Sequence, residues 1–191
     1  MKKYNIVYAD PPWDIKYLKE TKKGIGVYEL PYATMSNEEI MKLPVREMVD
    51  ENAILFMWVI DSRIGIMREL MEAWGFKYKT CGFVWNKLRK DKYAYAVNAN
   101  IGKYTAKSCE FCFIGTRGKS LAKHHTQLQY IAEPKREHSR KPDRIKTMIT
   151  RMCGDLPRLE MFARQPSDGW DVFGNEVANS ILLPQPKAMS N

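Results

Sequence analysis

Residues 5–13, Asn-Ile-Val-Tyr-Ala-Asp-Pro-Pro-Trp, constrain the chain more than any other stretch. Ile6 to Ala9 form a short apolar run that reads as a buried strand, and it passes directly into Asp10-Pro11-Pro12-Trp13. Proline has no N–H and fixes φ, so two in succession end a central strand. The result is a rigid turn offering a carboxylate, two carbonyls and an indole at the carboxyl end of a strand. In open α/β sheets that edge is where ligands bind.

These groups suit an exocyclic aromatic amine such as adenine's, whose lone pair is delocalised into the ring and is a poor nucleophile. Both N–H bonds need acceptors, and the Asp10 carboxylate and the Pro11 carbonyl can supply them. Such hydrogen bonds strengthen as positive charge develops on nitrogen, as a catalytic interaction must. Pro12 stiffens the turn and Trp13 can offer a flat face to the base. The alternative is a strand followed by a proline-rich turn with Trp13 in the core.

Asp10-Pro11-Pro12-Trp13 resembles the catalytic motif of the S-adenosylmethionine-dependent adenine-N6 methyltransferases, the family of the catalytic subunit of the eukaryotic mRNA adenosine methyltransferase. Four further segments resemble that family in the same order: residues 30–36 (Leu-Pro-Tyr-Ala-Thr-Met-Ser), residues 55–59 (Leu-Phe-Met-Trp-Val), residues 139–143 (Ser-Arg-Lys-Pro-Asp), and residues 160–164 (Glu-Met-Phe-Ala-Arg) with Gly174-Asn175-Glu176. The resemblance covers about residues 4–178.

The bulk properties fit one soluble domain over residues 1–178 of the 191, with residues 179–191 expected as a flexible tail. No apolar run approaches the ~20 residues that span a bilayer. The first strand begins almost at once, leaving no room for a signal peptide, so a cytoplasmic protein is expected, with no membrane partner. The four cysteines, Cys81, Cys109, Cys112 and Cys153, are then free thiols. Cys109-Glu-Phe-Cys112 is a lone pair of cysteines in an apolar run, so no metal is expected there. The net charge of +9 and pI near 9.3 are the electrostatic footprint of a polyanion partner, here nucleic acid.

Along the chain, Asp14 to Glu29 reads as a basic loop, and Ser36-Asn-Glu-Glu39 as a capping box opening a helix of about ten residues that Pro44 interrupts or ends. Ala53 to Ile60 predicts a strand covered on both faces. Ile64, Met67, Leu70, Met71 and Trp74 have helical spacing, and Gly75 ends that helix. Lys79 to Asn86 predicts another strand. Residues 87–107 mix Lys87, Arg89 and Lys90 with Tyr93, Tyr95 and Tyr104, a pattern of phosphate-holding cations and stacking aromatics, expected to form a substrate-recognition insert. Strands are also predicted from Ser108 to Gly115, at Tyr130 to Ala132, from Leu159 to Ala163 and from Trp170 to Phe173. A helix runs from Pro142, with Ile145, Met148, Ile149 and Met152 as its buried stripe, to a cap at Gly154.

The resemblance implies further roles. Tyr32 would pack beside the target base. Lys141, near a helix N-terminus, would contact the carboxylate of S-adenosylmethionine, and Arg164, Asn175 and Glu176 would hold its ribose and adenine with Asp10 nearby. The family has glutamine at the position of Glu176, and an asparagine beyond Arg164 where this chain has Ser167 and Asp168. No glycine-rich turn of the dinucleotide-binding kind occurs, and Phe162-Ala163-Arg164 stands where one is expected.

The expected fold is α/β, Rossmann-like, of the class I methyltransferase kind, with a mostly parallel twisted sheet, helices on both faces and a permuted motif order that puts the catalytic turn first. The expected activity is methyl transfer to adenine N6 in nucleic acid, DNA favoured over RNA because the compact chain shows no accessory RNA-binding modules. Relatives work in pairs, so a homodimer or heterodimer is implied. The alternatives are cytosine-N4 methylation, which usually has serine in place of Asp10, and a non-catalytic nucleic-acid-binding partner, which would be expected to have lost the tetrapeptide.

Overall fold

The computed structural model describes residues 2–14, 17–21, 24–28, 33–89, 104–105, 107–136 and 140–184. The chain folds around strand β1, Tyr4–Ala9, which is buried from Ile6 to Ala9. Its side chains alternate between two cores. Val7 and Ala9 face one side of the sheet with Leu55, Met57, Leu70, Met71 and Trp74. Ile6 and Tyr8 face the other with Ile54, Phe56, Trp58, Ile145 and Ile149.

Two strands, β2 (Tyr17–Thr21) and β3 (Gly24–Tyr28), pair antiparallel within the segment expected as a loop. Helix α1, Asn37–Lys42, opens on the predicted box: Ser36 Oγ accepts from Glu39 N at 3.2 Å and Ser36 N donates to Glu39 Oε2 at 2.7 Å. The single ten-residue helix is instead two short ones, because Leu43 takes an extended conformation ahead of Pro44, where the ring disfavours helical backbone. Helix α2 is Val45–Met48, and β4 follows at once as Val49–Val59, four residues earlier than predicted. Helix α3, Met67–Ala73, is capped by Trp74 and by Gly75 at φ 86°.

The remaining elements are β5 (Lys77–Leu88), β6 (Cys109–Arg117), β7 (Tyr130–Pro134), α4 (Arg144–Cys153), β8 (Arg158–Met161) and β9 (Asp171–Phe173). Seven strands form one sheet in the order β7-β5-β6-β4-β1-β8-β9. Pairings β1–β4, β1–β8, β8–β9 and β5–β7 are parallel, whereas β6 runs antiparallel to both neighbours. Helix α4 covers one face through Ile145, Ile149 and Cys153, and α1 to α3 cover the other. This is an α/β fold with a mostly parallel sheet, consistent with a class I methyltransferase. β4 can be apolar throughout because both its faces are covered.

Two expected boundaries move. Lys87 lies in β5, not in a loop, and its N–H bonds Ser108 O at 2.8 Å, so the expected insert begins only beyond the strand's end. The tail does not loosen at residue 179. Asn179 Oδ1 accepts from Gly174 N at 2.7 Å, Ser180 bonds both Val172 N and Val172 O, and Ile181 and Leu183 pack on the core. No helix among the described residues is long and apolar enough to cross a membrane.

Candidate active site

Strand order reverses at β1: β4 adds on one side and β8 on the other, so a crevice opens beyond their carboxyl ends, where α/β proteins bind ligands. A cleft of about 300 Å³ lies there, lined among others by Tyr8, Asp10, Lys141, Glu160, Phe162 and Glu176. That volume is at the lower end for small-molecule sites, roughly 300–1,000 Å³.

Asp10 leaves β1 at the cleft with its side chain 28% exposed. The turn behind it is braced: Trp13 N donates to Pro11 O at 2.9 Å, Met35 N to Pro12 O at 2.8 Å, and Asp14 N to Met35 O at 3.1 Å. The Pro11 carbonyl has a second lone pair left for a substrate N–H. Trp13 is only 4% exposed and belongs to the core, the arrangement the sequence left as the alternative. Its indole N–H has no hydrogen-bond partner among the described residues.

Lys141, 12% exposed, places Nζ 2.6 Å from Asp10 Oδ2 and 3.1 Å from Glu110 Oε2. It also lies 5.6 Å from the centre of the Trp58 ring. Lys87 completes a row by pairing with Glu110. Burial pushes the Asp10 carboxyl up; Lys141 opposes this, Glu110 adds to it, and the net direction is upward. Burial also pushes Glu110 up, but the Lys141 and Lys87 ammoniums outweigh it and hold the carboxyl at about 2. Burial disfavours charge on Lys141, yet Asp10 and Glu110 together raise its pKa.

The far wall is built by β8 and β9. Glu160 pairs with Lys146, whose ammonium also lies 6.0 Å from the centre of the Tyr8 ring. Phe162 holds φ at 63°, a left-handed conformation rare for a bulky side chain, and its ring stacks on Trp74 at 6.4 Å. Here the backbone does what a glycine turn would do. Gly174 is needed for close approach, since a Cβ there would sit 2.0 Å from Ala163 O. Arg164 Nε lies 3.1 Å from Glu176 Oε2.

The structure gathers Asp10, Lys141, Arg164 and Glu176, all candidate site residues, around one cleft. Asn175 is exposed in the adjoining turn and does not line it. Arg89 and Tyr104 are also exposed and off the cleft wall, Tyr104 at 88%. Tyr32, Lys90, Tyr93 and Tyr95 lie outside the described residues. Sequence reasoning missed Glu110, Glu160 and Lys146. The one available signal was a carboxylate inside an apolar strand, on the same face as Cys112 by the two-residue period. Among the described residues no three His, Cys, Asp or Glu side chains gather as for a metal ion.

Comparison with known proteins decides the family, because residues 4–176 match MT-A70. The chain belongs to the MT-A70 family. This MT-A70 chain is 34% identical to the Type II methyltransferase M.MunI of Mycoplasma sp, over 96% of the chain and 82% of that protein. It is 30% identical to a probable N(6)-adenosine-methyltransferase MT-A70-like of Oryza sativa subsp. japonica, over 94% of the chain and 24% of that protein. It is 28% identical to the human N(6)-adenosine-methyltransferase catalytic subunit METTL3, over 95% of the chain and 29% of that protein. The chain thus spans most of the first of these relatives and less than a third of the other two.

Proposed function

We propose that this MT-A70 chain transfers a methyl group from S-adenosylmethionine to the N6 amine of adenine in nucleic acid. The observation that carries the reading is Asp10 at the end of the central strand, held ion-paired beside a cleft at the point where strand order reverses. Asp10 Oδ1 and the Pro11 carbonyl orient the amine and accept its N–H bonds, which strengthen as nitrogen becomes positive. Lys141 favours the charged form of Asp10 and brings positive charge to the cleft wall for the cofactor's carboxylate.

Bound S-adenosylmethionine would supply an already activated methyl group on its sulfonium, so no covalent enzyme intermediate is required. The cleft fits such a ligand chemically. Cationic groups crowd the Lys141 end, and the Glu176 carboxylate at the other end can accept from ribose hydroxyls. The order of elements fits a permuted methyltransferase, with the catalytic turn after the first strand and the cofactor-side strands β8 and β9 last. The core position of Trp13 makes it a support for the turn.

DNA is the favoured substrate, on the ground that the relative matched over most of its length is named a type II methyltransferase, whereas those named adenosine methyltransferases are matched over less than a third. A base within a duplex must be extruded to reach the turn. The test is incubation of the protein with labelled S-adenosylmethionine and DNA or RNA, followed by digestion and mass spectrometry of the nucleosides. N6-methyldeoxyadenosine is the expected product. N4-methylcytosine, or no transfer to either polymer, overturns the reading.

A further inference from the structure

Lys87, Glu110, Lys141 and Asp10 form a row of alternating charge reaching from β5 across β6 to the turn after β1. The reaction above gives no task to Glu110 or to the Lys87 that pairs with it. The Glu110 side chain is only 20% exposed, and it does not line the cleft. A carboxylate placed among Phe111, Cys112 and the Trp85 strand is costly to desolvate unless it is well paired. An apolar residue would satisfy the strand without that penalty, so the charge has another use.

We propose that Glu110 is a positioning residue for methyl transfer: it shares the Lys141 ammonium with Asp10, leaving Asp10 basic enough to polarise the adenine amine through its other oxygen. The inference rests on the reading of Asp10 as acceptor for that amine. With Glu110 neutral, a larger share of the Lys141 attraction would fall on Asp10 at 2.6 Å. A carboxylate so neutralised is a weaker base and a weaker hydrogen-bond acceptor. A second carboxylate 3.1 Å from the same ammonium divides the attraction and adds like-charge repulsion toward Asp10. Lys87 in turn helps hold the Glu110 carboxyl at about 2, so Glu110 stays ionised through the range in which Asp10, raised above its ordinary 3.8, takes up its proton.

Among the described residues, other groups also face this row. Asp10 feels Arg164 and Glu160 from the β8 side, Cys112 from β6 and Tyr8 from β1. Glu110 feels Lys135 beyond β7 in addition to its two partners. Substitution of Glu110 alters none of these side chains.

The test compares the full chain with Glu110→Gln and Glu110→Asp, measuring kcat and the KM for S-adenosylmethionine as a function of pH on adenine-containing DNA. In Glu110→Gln, kcat on the plateau should fall at least about tenfold, short of the hundredfold or more expected for a group that touches the developing charge. The acid limb should move to lower pH, and the KM for the cofactor should stay within about twofold, a split that loss of structure alone would not give. Glu110→Asp should recover most of the limb position. An unmoved limb or an unchanged kcat overturns the proposal. Titration of the Asp10 carboxyl by carbon-13 NMR reads the same property without turnover. Its pKa should drop in Glu110→Gln, and a static value sinks the inference even if the wild-type chain methylates nothing. Wild-type failure to methylate with the expected NMR shift would overturn only the function reading.

Discussion

Lys141 Nζ sits 2.6 Å from Asp10 Oδ2, although 131 positions separate the two residues. The contact ties the segment entering α4 to the turn leaving β1, so an ion pair joins two parts of the cleft's lining. Both partners are largely withdrawn from water, which makes the attraction stronger than in an exposed pair.

Asp10→Asn keeps the shape and removes the charge. Transfer to adenine should fall by roughly a hundredfold or more, the scale for losing a group that stabilises developing charge. Cofactor binding, followed as a rise in melting temperature with S-adenosylmethionine, should survive. Retained transfer with unchanged kcat would remove Asp10 from the chemistry.

Gly174→Ala should damage the fold where β9 meets the turn after β8. The new methyl would lie 2.0 Å from Ala163 O and 2.7 Å from Ala163 N, both backbone atoms that cannot step aside. A loss of about 3 kcal/mol, at the upper end for forced overpacking, is expected in urea unfolding, with weakened cofactor affinity. A stability loss below about 0.5 kcal/mol would show that the two turns are not interlocked.

Tyr8→Phe isolates a buried donor. Trp58 Nε1 donates to Tyr8 Oη at 2.7 Å inside the sheet's α4 face, and without the hydroxyl it has no acceptor among the described residues. The cost should be about 1–3 kcal/mol, read from the denaturation midpoint at unchanged slope. A neutral result would mean that the indole turns to another acceptor.

Acid stability should carry the mark of Glu110. Its carboxyl is held at about 2 in the folded chain against an ordinary 4.5, so it contributes stability above pH 4.5 that is lost as pH falls toward 2. Asp143 and Asp171, also lowered, act in the same sense near the surface, whereas the raised Asp10 contributes stability only below its folded pKa. Urea unfolding as a function of pH should show an acid decline that is shallower in Glu110→Gln. Parallel declines would assign the acid sensitivity elsewhere.

Much of the fold is legible in the sequence because its signals are local. Ser36 and Glu39 cap each other within four residues, Gly75 and Gly154 end helices by a positive φ, and the two prolines stop β1 where they stand. The candidate cleft is legible only where a residue type suggests its chemistry, as with Asp10, Lys141 and Glu176, which line it. Lys87 reads as part of a basic loop because charges usually mark solvent. Its backbone pairs with Ser108 and Glu133 in the sheet and its ammonium meets Glu110 of the neighbouring strand, relations no local pattern carries. Glu110 itself is hidden between two cysteines that draw the eye to thiol chemistry. Trp13 misleads in the opposite way, since the chemistry of an indole does not tell which side of a turn it faces.

The lodging of Ser180 against Val172 has a consequence for assembly. Val172 N and O are both already engaged, so the β9 border offers no free rung there to an incoming chain. At that rung edge-to-edge pairing with a second molecule would first have to displace the Ser180 segment.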